Sequence, residues 1–301
     1  MTEDKHAKKQ KYNYKEPFIM KYLSVLTAAI WMTCPVVAQE IQYTKTDSVK
    51  VAGLLQQAQK LDSAENAVIY FARELRGIPY VAKTLEKNET EKLVVNLRQL
   101  DCTTYVENVL ALSLCVKNNR KRFEDFCTYL RLIRYRNGEI SYINRLHYFT
   151  EWIADNTRMG YVAEVQEPNP PFTGLQKLMI NYMSTYPQYY PMLQKNPAWI
   201  KGIKAMEDEL NGQEYRYIPK NEIANTAIYR ETIRSGDIIA IITSRKGLDT
   251  SHIGIAVWHK DGLHLLNASS VRHKVVEEPM LLRTYMNRHP SQVGIRIIRI
   301  R

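Results

Sequence analysis

Cysteine is scarce. Four residues in 301 carry a thiol, Cys34, Cys102, Cys115 and Cys127, and no two of them form a C-x-x-C pair, which argues against a closed structural zinc site. The most apolar run, Tyr22 to Met32, is too short for a good membrane span, so no stable span is expected. Lysine and arginine nowhere interleave with aromatics in a binding stripe, and no zinc-finger spacing occurs, which argues against nucleic acid as a partner. Internal repeats and low-complexity stretches are missing too, which excludes a repeat array.

What is present suits one large domain or two small ones, with ample apolar content for a core. Residues 1–38 read as a secretory signal peptide. A lysine-rich stretch ends in Met20-Lys21, an apolar run follows, and Val36-Val37-Ala38 offers small residues before Gln39. The nineteen residues before Met20 are unusual for a leader, which makes Met20 an alternative start. Cys34 invites a lipoprotein reading, but Met32-Thr33 before it and Pro35 after it fit poorly. The protein is therefore expected to be exported, to a periplasm or cell envelope. Because the leader carries six lysines and three acids, the formal net charge falls from +11 to +8 on its removal. Such a modest basic excess usually marks a solvated surface, and it would also favour a polyanionic polymer such as a cell envelope.

Along the chain, helices are expected over 47–61 and 63–76, the second capped by Asp62-Ser63 and stopped by Gly77. Gly77-Ile78-Pro79-Tyr80 is a turn into an irregular, charged segment up to Glu91. Val106, Val109, Leu110, Ser113 and Leu114 recur at helical spacing, so a helix runs from about Thr103, and another spans about 122–134. Arg136-Asn137-Gly138-Glu139 is a turn signal, and Asn144 to Trp152 reads as a loop running into a short helix. Residues 165–220 are aromatic-rich and broken by prolines, with helices expected near 173–185 and 198–211. They belong to a helical insertion at about 120–230 and not to a separate domain, because no flexible linker flanks them. From Ser235 the pattern turns to strands, over 237–243, 251–258, 263–268 and 293–300. The last alternates Ile and Arg, as a strand with one exposed face does. Helices first and an antiparallel sheet afterwards make an α+β fold, in a single domain over 39–301.

Beyond the leader three cysteines remain, an odd number, so at least one thiol stays free in a compartment that permits disulfides. Cys115 follows Leu114 in the same helical run and Cys127 sits among Phe123, Phe126 and Leu130, so both read as buried small apolar residues. Cys102 is the thiol left over. It lies one turn before Val106 at a helix start, where unpaired N–H groups and the helix dipole would lower a thiol's pKa. A nucleophile also needs a base, and His252 opens the strand Ser251 to Val257, beside the loop 245–250. With an even loop in the following hairpin, Asn267 pairs opposite Gly254 or Ala256 and shares the face of His252, leaving His264 on the other face. For a four-residue loop Asn267 is a diagonal neighbour of His252, and its amide oxygen could accept from the imidazole and fix its tautomer. Taken singly, a cysteine on a packed helix face is more often a filler, and a strand histidine a satisfied polar residue. The three together shift the balance toward catalysis. A metal site using Cys102, His147 and His252 is a rival reading, although neither a metal nor a cofactor is expected.

Gly77-Ile78-Pro79-Tyr80, Leu100-Asp101-Cys102-Thr103-Thr104-Tyr105-Val106, Ser235-Gly236-Asp237-Ile238, Ser251-His252-Ile253-Gly254-Ile255 and Asn267-Ala268-Ser269, in that order, resemble the NlpC-type cysteine peptidase superfamily. The resemblance covers roughly residues 63–110 and 230–300. It implies a papain-like core that cleaves amide bonds in bacterial cell-wall peptides. Two features depart from compact members: the 150 positions between Cys102 and His252, and Val81 to Glu86 in place of the glycines that often follow G-x-P-Y. With Arg145 to Trp152 and Gly247 to His252, these departures look like the divergent branch of N-acetylmuramoyl-L-alanine amidases. That branch is associated with cutting between a muramyl sugar and the stem peptide, preferring anhydro-muropeptides. The third catalytic position of the superfamily is often His; Asn267 departs from that choice but keeps an acceptor.

The resemblance implies Cys102 as nucleophile, His252 as proton shuttle and Asn267 as its orienting partner. The Cys102 N–H and Tyr80 become oxyanion donors, with Asp101, Thr103 and Ser251 flanking them. Arg145, His147, Tyr148 and Trp152 would form the sugar and peptide pocket, Trp152 being equally compatible with ordinary core. The expected partners are peptidoglycan fragments (muropeptides); the sequence leaves the oligomeric state open, with a monomer favoured. One rival is an endopeptidase cutting after γ-D-glutamate in the stem peptide, which would need a carboxylate to hold a free amine. Another is a non-catalytic cell-wall binding module, against which the intact Cys/His/Asn set argues.

Overall fold

A computed structural model describes residues 41–61 and 67–301. The expected leader, with Met20 and Cys34, and the expected Asp62-Ser63 cap lie outside the described residues. The described residues form one compact unit.

Strand β1 (Ile41–Gln42) pairs in parallel with β2 (Leu93–Val94). Helix α1 (Lys45–Ala58) begins at Thr44, whose side chain and Asp47 form a reciprocal capping box that satisfies two orphan N–H groups of the first turn. Helix α2 (Ala67–Glu74) is followed by Gly77 at φ +84°, a left-handed turn that only glycine adopts without strain. Helix α3 (Cys102–Lys117) is the central one, and every residue from Thr104 to Cys115 in it is buried. Enclosure on all sides, rather than one apolar stripe, explains its Leu- and Val-rich sequence. Burying Val106, Val109 or Leu110 contributes about 1.5–3 kcal/mol each. Helix α4 (Phe123–Arg134) packs on α3, and a buried ion pair joins them: Arg134 Nε donates to Glu107 at 2.7 Å while its Nη1 donates to Val94 O at 2.7 Å. After α5 (Phe149–Arg158) come β3 (Val162–Val165), β4 (Gly174–Lys177), α6 (Tyr182–Thr185), α7 (Pro191–Lys195), α8 (Ile200–Leu210), β5 (Glu214–Pro219) and α9 (Ala227–Thr232).

The C-terminal part supplies β6 (Ile238–Thr243), β7 (Thr250–Trp258), β8 (Leu263–Ser269), β9 (Lys274–Glu277), α10 (Leu282–Asn287) and β10 (Gln292–Ile300). The main sheet runs β4-β5-β10-β6-β7-β8-β9, with β3 also paired to β10. All of these pairings are antiparallel. Strand β6 is buried along its whole length: Ile238 and Ala240 face the core that contains α1 to α4, and Ile239 and Ile241 face a second core with Ile295, Ile297 and Met286. A third core lies within the insertion, around Tyr148, Met183, Leu193, Ile203 and Met206.

The α+β reading holds, with three corrections. Residues 174–177 form a strand against β5, and helix is confined to Tyr182–Thr185 in place of the 173–185 helix. The insertion contributes β3, β4 and β5 to the sheet and so is not purely helical. The arginine face of β10 is also covered. Arg296 is 1% exposed, its Nη2 donates to Glu164 at 2.9 Å, and its guanidinium lies 4.0 Å from the Tyr215 ring centroid. Arg299 pairs with Asp237 at 2.7 Å. Strands β3 and β5, invisible to the Ile/Arg alternation, cover Arg296 with Glu164 and Tyr215, while Asp237 before β6 holds Arg299.

Candidate active site

Cys102 is the first residue of α3, with Asp101 as N-cap. The Asp101 carboxylate accepts from Thr104 N at 2.9 Å, and Thr104 Oγ1 accepts from Asp101 N at 2.9 Å, closing a capping box around the thiol's own turn. This start is held from outside as well. Leu100 N donates to Pro79 O at 3.0 Å and Val81 N to Leu100 O at 3.0 Å, which sets Tyr80 beside the cysteine turn.

The β7–β8 hairpin carries His252, the expected base. Its loop is the four residues 259–262, and Ile255 pairs with Leu266, so Gly254 stands opposite Asn267 and His252 is diagonal to it. His252 Nε2 lies 2.9 Å from Asn267 Oδ1. An amide oxygen only accepts, so Nε2 carries the proton and Nδ1 keeps the lone pair. Gly254 is needed here: a Cβ would lie 2.7 Å from Leu266 O and 3.0 Å from Asn267 Cβ. On the other side, Ile241 pairs with His252 and Ile242 with Thr250, so Ser251 is an extra, bulged residue beside the site. Asp249 anchors the preceding loop by accepting from Thr150 N at 2.7 Å, at the start of α5, and from Thr250 N at 2.6 Å.

Cys102, His252 and the Ser251 loop line one cavity of about 210 Å³, closed by His147, Tyr148, Met183 and Tyr190 of the insertion. Cys102 is half-buried. Burial, and then the Asp101 carboxylate, push its thiol up to about 12, against the pull of N–H groups of Ile253 and Thr103 and the Thr103 hydroxyl. A thiol pKa lowered by the helix start is therefore not what the fold produces: desolvation outweighs the donors. Burial likewise depresses His252 below its ordinary 6.5, although Asn267 pulls it back up. The resting pair is thus a thiol beside a neutral imidazole. Tyr80 is pushed up to about 12 by burial, Cys102 and Asp101, which keeps its hydroxyl a donor at neutral pH.

The remaining expected residues fall into two groups. Thr103, His147, Tyr148 and Ser251 line the cavity. His147 Nε2–H donates to Tyr142 O at 2.7 Å, and burial with the neighbouring Arg145 holds the ring neutral, far below 6.5. The Tyr148 hydroxyl is engaged: it donates to Glu207 at 2.7 Å and accepts from Met183 N at 3.0 Å. Arg145 does not line the cavity. It is buried, ion-paired with Glu86 and, at 3.7 Å, with Glu91, and its guanidinium lies 4.7 Å from the Tyr142 ring centroid. Trp152 is core, fully buried and stacked on Phe149 at 4.7 Å. Cys102, His147 and His252 share the cavity, but among the described residues they form no cluster of donor atoms able to share an ion. Sequence reasoning missed Tyr285, whose ring centroid lies 6.2 Å from that of His252, and His289, whose proximity also lowers His252. Both sit on or after the short helix α10, which carries no local signal of its own.

Residues 70–295 match a family model described as AmiA-like, N-acetylmuramoyl-L-alanine amidase-like. No curated protein sequence matches the chain significantly. Among solved structures, an N-acetylmuramoyl-L-alanine amidase from Bacteroides uniformis ATCC 8492 is 36% identical, with a TM-score of 0.73 over 79% of this chain and 99% of that one. A Bacteroides fragilis protein named a "putative xylanase" is 39% identical, with a TM-score of 0.71 over 76% of this chain and 99% of that one. Protein LPG0564 from Legionella pneumophila str. Philadelphia 1, at 24% identity and a TM-score of 0.66 over 85% of this chain and 94% of that one, shares the fold. With a family match over most of its length and relatives of more than one-third identity, the chain belongs to the AmiA-like family of N-acetylmuramoyl-L-alanine amidase-like proteins.

Proposed function

We propose that the protein is an exported, cysteine-dependent amidase on a papain-like, NlpC-type core, cutting between the N-acetylmuramoyl sugar and L-alanine in peptidoglycan fragments. The observation that carries the reading is the 2.9 Å His252–Asn267 hydrogen bond in the cavity that also holds Cys102. His252 Nδ1 takes the thiol proton as Sγ attacks the lactyl carbonyl, and the oxyanion is met by the Cys102 N–H, free of any intrahelical partner, and the Tyr80 hydroxyl. Collapse breaks the C–N bond, His252 returns its proton to the departing L-alanine amine, and water then hydrolyses the thioester by the reverse relay. With a thiol at about 12 and a depressed imidazole, proton transfer accompanies attack and no preformed ion pair is needed. A preference for anhydro-muramyl sugars rests on the sequence resemblance alone.

The cavity's charges weigh against the rivals. Among the described residues lining it, Asp249 is the single carboxylate, and both its oxygens accept backbone N–H groups. An endopeptidase that grips a free amine lacks its counter-ion there, and a glycosidase lacks its second acid. Digestion of defined muropeptides, read by mass spectrometry, tests the reading. Release of intact stem peptide by the wild type, and none by Cys102→Ala, supports it. A dipeptide-bearing sugar, or unchanged release by Cys102→Ala, overturns it.

A further inference from the structure

The catalytic hairpin gathers a second set of groups at its opposite end. His264, on β8, is 3% exposed. Its Nδ1–H donates to Glu278 O at 2.9 Å, so the neutral ring carries its lone pair on Nε2. That nitrogen faces both oxygens of Asp261, at 3.1 and 3.2 Å. A lone pair and a carboxylate this close repel each other unless a proton or a metal cation lies between them. His259, at the start of the loop, has Nε2 2.7 Å from Glu277 Oε1, and donation there leaves its Nδ1 with the lone pair. The two imidazole centroids are 4.3 Å apart, and one ring nitrogen of each histidine and one Asp261 oxygen all lie within 4.8 Å of one another.

Each imidazole is thus anchored through one nitrogen, to a carboxylate in one case and a backbone carbonyl in the other. That outer arrangement fixes the tautomer of metal-ligating histidines and aims the remaining nitrogen. We propose that His259, Asp261 and His264 bind a divalent transition-metal ion, with Zn²⁺ the best match to two imidazoles and one carboxylate. Magnesium and calcium ions prefer all-oxygen sites. A tetrahedral zinc ion with ligands at about 2.0–2.2 Å holds neighbouring donors about 3.4 Å apart, close to the His264–Asp261 separation. Asp261 is an exposed loop residue, and its side chain closes the rest of the distance toward the anchored His259 ring. The fourth position opens into a cavity of about 580 Å³. The two arginines that border it are already paired with Glu277, Arg73 at 3.0 Å and Arg76 at 3.7 Å, so the ion meets no bare guanidinium charge. Seven residues of extended strand, about 23 Å, separate His259 from His252. The ion therefore staples the hairpin tip and takes no part in amide cleavage.

The test uses the exported protein, stripped with EDTA and dialysed, then titrated with Zn²⁺ alone by calorimetry, with Tm measured before and after. One equivalent is expected to bind and to raise Tm. Asp261→Asn and His259→Ala each lower Zn²⁺ affinity by about tenfold or more and remove most of the Tm gain. Asp261→Asn keeps the metal-free Tm near the wild-type value, whereas His259→Ala also gives up the contact to Glu277, so its Tm gain is read against its own metal-free Tm. Cys102→Ala binds zinc as the wild type does. The proposal is overturned if the wild type binds no equivalent of zinc, leaving His264–Asp261 a plain ion pair. It is equally overturned if both exposed variants keep full affinity, or if Cys102→Ala loses binding and so puts the ion in the cleft.

Discussion

Removing the Asn267 side chain isolates the orienting interaction. Asn267 is fully buried, and its Oδ1 is the acceptor 2.9 Å from His252 Nε2. In the proposed mechanism His252 becomes an imidazolium during attack, so the bond lost in Asn267→Ala is one to a charged donor, worth about 1.5–3 kcal/mol. At about 1.4 kcal/mol per factor of ten, kcat/KM should fall between about tenfold and two-hundredfold, with KM nearly unchanged. The pH profile gives an independent readout. Asn267 raises the His252 pKa, so without it the acid limb of kcat/KM, already below pH 6.5, should move lower still. Asn267→Asp keeps an acceptor and adds charge, so it should retain more activity and move the limb to higher pH. The assay is release of stem peptide from a defined muropeptide across pH 4–9, with Tm checked for each variant. An Asn267→Ala enzyme within twofold of wild type, with its acid limb unmoved, would refute the reasoning.

Iodoacetamide should label Cys102 before Cys115 and Cys127, because only Cys102 is partly exposed; its rate should climb steadily with pH, the thiol being pushed up to about 12. Equal labelling of the three, or a plateau near neutral pH, contradicts this. Gly254→Ala should destabilise the hairpin by about 1–3 kcal/mol and reduce turnover, since the new Cβ presses on Leu266 O and Asn267; an unchanged Tm and rate would show that the strands part freely. Burial raises Glu151 to about 7 despite Arg136, so the folded state binds the extra proton and stability declines as pH rises from about 4.5 to about 7, by at most about 3 kcal/mol. Glu151→Gln should flatten that decline in Tm, and an identical slope in the variant would assign it to other groups.

The parts of the site legible in the sequence are those governed by short-range rules. Loop length and strand parity suffice to bring Asn267 to His252, because a four-residue hairpin leaves one register open. The apolar spacing from Val106 to Leu114 likewise places the start of α3 within one residue of Cys102. Electrostatics is less legible: the helix start predicts a lowered thiol, yet how deeply Cys102 sits and how close Asp101 lies are tertiary facts. Arg145 and Arg296 fail for a related reason. An arginine looks like a surface or ligand group until the carboxylates that bury it, Glu86 and Glu91 or Glu164, arrive from distant segments. Strands β3 and β4 are four residues each, too short for any periodicity, and they exist because β10 and β5 offer open edges.

Strand β10 is the last strand in chain order, yet β3, β5 and β6 all pair with it. Time therefore enters the design. Earlier helices can collapse by local contacts, but the sheet has no middle until residues 292–300 dock, and β6 then fixes the hairpin that carries His252 and Asn267. Pairings of such long sequence separation form slowly, because their loop-closure entropy is paid before any contact rewards it. During refolding, recovery of turnover should lag recovery of helix content, since Cys102 and His252 meet only once that final strand is in place.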